Sequence, residues 1–101
     1  MTTFARSKKM KLADAHGHVL GGRVLGEQIR QDVVRSVQAG EVVVLDLEGV
    51  QVVSPSFADE IFGKLPLEAG ERVEFTNVSR QIQAVADMAR AGRAGNGQNA
   101  S

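Results

Sequence analysis

The pattern of apolar and polar positions centres on Val42 to Gly63, VVVLDLEGVQVVSPSFADEIFG. Val42, Val43, Val44 and Leu45 form a β-branched apolar run without polar interruption, closed by Asp46. Such a run predicts a strand covered on both faces, as in a sheet with helices on either side. Glu48-Gly49 is a turn signal, and a second apolar patch follows at Val50, Val52 and Val53. Ser54-Pro55 then marks a helix start. Proline suits the first helical position, and the residue before it is pushed out of the α region, as an N-cap requires. Within that helix Phe57, Ile61 and Leu65 recur four apart, with Ala58 and Phe62 beside them, which predicts an inward stripe.

The flanking segments complete an alternation of strands and helices. Lys9–Ala13 alternates weakly, with Met10 and Leu12 on one side, and predicts an edge strand. Residues 14–22 read as a loop or a second short strand. From Arg23 to Ala39, Val24 or Leu25, Ile29, Val33 and Val37 recur at helical spacing, and Gly40 is placed to end that helix. Gly26 inside it weakens the helix by about 1 kcal/mol relative to Ala, and allows close packing against a neighbouring backbone. Leu65-Pro66 is expected to end the central helix. Arg72–Asn77 alternates as a third main strand, and Ser79 caps a last helix carrying Ile82, Val85, Ala86 and Ala89. Residues 1–7 are expected to be flexible and 92–101 to form a disordered tail, leaving 8–91 as the folded domain. This order predicts an α/β fold with a mostly parallel sheet of about four strands and helices packed on it. In such sheets the functional loops lie at the carboxyl ends of strands, here Asp46 to Ser56.

Composition narrows the function. The 101 residues carry 12 basic and 12 acidic side chains, and this balance argues against general nucleic-acid binding. With no cysteine there is neither disulfide nor thiolate chemistry. No run approaches a membrane span, and no apolar segment follows Arg6, Lys8 and Lys9 as in a signal peptide. A cytoplasmic location is the expectation. His16 and His18 flank Gly17, but no third ligand lies nearby, so they read as loop histidines and no metal is expected. GGRVLG lacks the Lys-Ser/Thr of a phosphate-binding loop, and no cofactor is expected.

The stretch LDLEGV…SPSFADEIFG resembles the STAS-like domain family of unknown function, a small relative of the STAS domains of anti-sigma factor antagonists. GGRVLGEQIR at 21–30 is similar to the family's helix opening, and the likeness spans roughly residues 8 to 90. It implies a βα-type fold and a signalling or interaction role, with no known reaction; a non-enzymatic, transcription-regulating module of a bacterium or phage is the expectation. The implied partner is a histidine-kinase-like ATPase or anti-sigma factor. In antagonist STAS domains the comparable loop carries a phosphorylated Ser or Thr. Here Pro55 falls at that position when the loops are aligned on the cap, and Ser56 is the nearby replacement.

The expected partner-binding site is therefore the loop and helix start: Asp46, Ser54, Ser56, Phe57, Asp59 and Glu60. Each has a plainer reading. Ser54 caps the helix, Ser56 is a bystander hydroxyl, Asp59 and Glu60 complement the helix dipole, Asp46 holds the following loop, and Phe57 is core. Adjacent helical residues point about 100° apart, so Asp59 and Glu60 are not expected to share one site. Arg23, Arg30 and Arg35 read first as a solvated face. Two alternatives stand beside the binding module. One is a small metal- or nucleotide-dependent enzyme using Asp46, Asp59 and Glu60. The other is a scaffold that forms a homodimer through the strand near Lys9–Ala13.

Overall fold

The computed structural model describes residues 6–98. Strand β1 (Arg6–Lys11) leads into a short helix, α1 (Leu12–His16), and a two-residue strand, β2 (Val19–Leu20). Helix α2 (Arg23–Gln38) returns the chain to β3 (Glu41–Asp46). Strand β4 (Val52–Val53) precedes α3 (Pro55–Ala58), which continues through a π-helical segment, Asp59–Lys64, into α4 (Leu65–Ala69). A 3₁₀ turn at Gly70–Arg72, strand β5 (Val73–Thr76) and helix α5 (Arg80–Gln98) complete the order. Arg6 and Ser7 thus belong to a strand, and residues 1–5 of the expected flexible start lie outside the described residues. The last helix runs on past Gly92 to Gln98, where a disordered tail was expected; residues 99–101 lie outside the described residues.

The main sheet is parallel, with β3 central and the order β1-β3-β5, and β2 pairs with β4 in a separate parallel ribbon. Strand order advances in one direction. Right-handed crossovers then carry both helical connections over the same face. Register places Lys8, Met10, Val43, Leu45, Val73 and Phe75 on that face. Val43 and Leu45 are fully buried there, against a core that includes Ile29, Val33, Phe57, Ile61, Phe62 and Leu65. Val42 and Val44 point the other way and are only half-buried. The apolar run is therefore covered on one face, not two. A uniform run of valines carries no mark of which alternate positions are covered.

Two further boundaries differ from the sequence reading. Leu12, expected in the edge strand, is buried in α1. The central helix does not end at Leu65-Pro66; the wider π turn ends at Lys64, and Pro66 takes an early position in the turn that follows. There its missing N–H is tolerated. Other expectations hold in detail. Gly40 ends α2 with φ +95°, and Ser79 Oγ accepts from the Ile82 amide at 3.2 Å.

Candidate functional site

The β3–α3 connection lies at the carboxyl end of the central strand. It is held by backbone bonds from Leu47 N to Thr76 O, 2.9 Å, and from Ser54 N to Leu20 O, 2.9 Å. Ser54 is the N-cap, with extended backbone and its Oγ accepting from Phe57 N at 3.2 Å. The same oxygen accepts from Gly22 N at 3.1 Å, so one hydroxyl ties the starts of α2 and α3 together. Ser56 Oγ lies 3.3 Å from Ser54 Oγ. Both serines are half-buried.

Asp46 is buried at the end of β3. Its Oδ1 accepts from Asn77 Nδ2 at 2.8 Å and from the Glu48 amide at 2.9 Å, and Lys9 Nζ stands 3.4 Å from Oδ2. The Asn77 bond, then the Glu48 bond, hold its carboxyl below the ordinary carboxylate range. Asn77 makes its contribution from a left-handed backbone, φ +55°, which asparagine adopts more readily than most residues. Asp46 thus closes the loop, as its plainer reading has it.

Asp59 and Glu60 open the π segment. Glu60 is 0 % exposed. Its Oε1 accepts from Arg30 Nε at 2.9 Å, and its Oε2 faces Arg23 Nη1 at 2.5 Å and Lys64 Nζ at 2.7 Å. Burial alone would raise its pKa; hydrogen bonds from Lys64, Arg30 and Arg23 overcome this and leave it below the ordinary value. Asp59 takes Arg93 Nε at 2.7 Å and Arg23 Nη1 at 2.9 Å. The Arg93 bonds, against burial and with help from Arg23, hold its carboxyl at about 2. Arg30 extends the network to Glu68 at 2.7 Å. Four cations and three carboxylates from α2, the central helix and α5 are therefore interlinked.

This network departs from the sequence reading in three ways. Asp59 and Glu60 do share a partner, because Arg23 reaches both. Arg23 and Arg30 are drawn into the network rather than forming a solvated face, whereas Arg35 does pair on the surface with Asp32. And Glu60, with Phe57 and Asp46, is buried, so these three build the site from beneath and offer no surface to a partner. Two glycines make room for the network. A Cβ on Gly26 would stand 2.9 Å from Glu60 Cβ and 3.3 Å from Phe57 Cα; one on Gly63 would stand 2.9 Å from Asp59 Oδ1. The close approach read from Gly26 in the sequence is present.

The three carboxylates of the enzyme alternative do not converge. Asp46 is engaged at the sheet end, Asp59 and Glu60 by the arginines. Among the described residues no group of three or more His, Asp or Glu is placed to hold a metal ion. His18 Nδ1 donates to Gly49 O at 2.7 Å. No helix among the described residues is long and apolar enough to cross a membrane.

What the loop does adjoin is apolar surface, which sequence reading missed. Val52 is 55 % and Met88 75 % exposed. Val52, Val53, Ile82 and Val85 line a cleft of about 130 Å³, and Val85 also lines a second of about 260 Å³ with Pro55, Met88 and Ala89. The α5 spacing Val85–Met88 carried the signal, but only tertiary structure shows that Pro55 stands opposite.

Fold and site define a two-layer α/β domain with one capped, serine-bearing loop at the end of its central strand. A family model described as a STAS-like domain of unknown function (DUF4325) matches residues 26–83, more than half of the chain. The chain belongs to that family. No curated protein and no solved structure matches it.

Proposed function

We propose that this domain is a regulatory module that works by binding another protein at the surface around Ser54-Pro55-Ser56. The observation that carries the reading is the apolar surface continuous with that loop, Val52, Pro55, Val85 and Met88. Contiguous exposed apolar surface beside a polar loop is the usual mark of a protein contact. The carboxylates that would otherwise invite catalysis are engaged in ion pairs. The likeness to anti-sigma antagonists makes a histidine-kinase-like ATPase the partner to seek. Ser56, half-buried beside the cap, is the residue whose phosphorylation would switch the contact, by adding charge and acceptors at the loop.

The test is a pull-down from the cells that carry the chain, with wild type beside Val52→Asp, Met88→Glu and Ser56→Asp, and mass spectrometry of the bait. An ATPase retained by wild type and lost from the two surface variants supports the reading; a phosphate on Ser56 adds its switch. Retention of the same proteins by all variants overturns the site.

A further inference from the structure

We infer that β1 is a docking edge for an extended acidic segment of another protein, which adds to the sheet as a further strand. The edge is long for so small a sheet. β1 has six residues and, among the described residues, pairs with β3 on one side only; five of its six residues are exposed, Met10 being half-buried. An edge strand presents unpaired N–H and C=O groups, and these bind any extended chain of suitable side chains.

Charge selects the occupant. Arg6, Lys8, Lys9 and Lys11 place four of the chain's 12 basic residues on this one strand. Lys9 and Lys11 stand on the open face of the sheet, in register with Val44 and Asp46; Arg6 and Lys8 stand on the helical face, in register with Glu41 and Val43. A second copy of β1 would set like charges against like across the new pair, which is unfavourable. The same lysines that repel a copy attract an acidic strand. Lys11 has no carboxylate partner among the described ion pairs, and Lys9 has only Asp46 at 3.4 Å. The four basic side chains lie on both faces of β1, so the occupant is an extended segment with acidic side chains on both of its faces. This surface is separate from the Ser54 loop, and the inference does not rest on the function proposed above.

The test uses the full chain and a fluorescein-labelled, glutamate-rich eight-residue peptide with acidic side chains on both faces, read by fluorescence anisotropy at low salt. Saturable binding is expected, about tenfold weaker for the same peptide N-methylated at alternate residues on its pairing edge, which keeps every charge but removes strand hydrogen bonds. Arg6→Glu with Lys11→Glu should weaken it by a similar factor while leaving the melting temperature in place. Equal binding of the methylated peptide would reduce the effect to charge alone and overturn strand addition. Tighter binding of a single-stranded DNA oligonucleotide than of the peptide would overturn the choice of partner. A dimer in sedimentation that Arg6→Glu with Lys11→Glu dissociates would show that a second copy takes the edge, and would overturn it too.

Discussion

Gly26 and Glu60 are packed so closely that a single methyl group on the glycine would stand 2.9 Å from the Glu60 Cβ. The glutamate cannot retreat. It is wholly buried, and its carboxylate is fixed by Arg23, Arg30 and Lys64. The glycine is thus required by the ion network of the facing helix rather than by its own backbone.

Gly26→Ala should therefore destabilise the domain, although alanine favours helix by about 1 kcal/mol. Overpacking of a tight contact costs about 1–3 kcal/mol and should outweigh that gain. Urea denaturation followed by circular dichroism measures the balance. A variant more stable than wild type would show that α2 can shift away from the central helix.

Glu60→Gln keeps the shape and removes the charge that three cations share. Breaking a buried ion pair from one side costs about 3–5 kcal/mol, because the remaining charges lose their partner. The expected result is a large fall in the denaturation midpoint, partly restored when Arg30→Met is added. Additive losses in the double variant would show that Glu60 and Arg30 are not coupled.

Acid should act through the same cluster. The Asp59 carboxyl is held at about 2 in the folded chain, against an ordinary 3.8, and Glu60 moves in the same direction. The folded state thus favours the charged form. This contribution is complete above the ordinary value and is lost as pH falls from 3.8 toward about 2. Asp59→Asn should lower stability at neutral pH and flatten the decline across that window. An unchanged acid limb, measured by thermal melts at stepped pH, would assign acid sensitivity to other carboxylates.

Ser54 and Ser56 should separate cleanly. Ser54→Ala removes the acceptor for both Phe57 N and Gly22 N and should cost about 1–2 kcal/mol. Among the described residues the Ser56 hydroxyl bonds only that of Ser54, and Ser56→Ala should fall within about 0.5 kcal/mol of wild type. Equal losses in chemical denaturation would mean that both hydroxyls hold the helix start, leaving Ser56 no freedom to serve as a switch.

Much of the fold was legible in local chemistry. Ser54-Pro55 announced its cap, Gly40 its helix end, and the Arg72–Asn77 alternation its strand, because each is decided by neighbours in sequence. The parallel sheet followed from the order of elements. The ion network was not legible. Arg23 and Arg30 sit 36 and 30 residues from their partners Asp59 and Glu60, and nothing local distinguishes a paired arginine from a solvated one. Glu60 looked like a surface carboxylate on a helix, yet the π turn leaves it buried beside Ile61 and Phe62. The same turn explains the failure at Pro66: a widened helix is a change of pitch that a four-residue repeat does not display.

The one-way order of the strands divides the four-residue run Val42 to Leu45 into unlike halves. Replacing Val43 or Leu45 with a polar residue introduces an unpaired group into the interior, whereas Val42 and Val44 border water and can take threonine or lysine at small loss. Tolerance to substitution should therefore alternate with a period of two along a segment whose letters scarcely vary. That freedom stops at Asp46, which shares the face of Val42 and Val44 but is buried and holds the loop that follows.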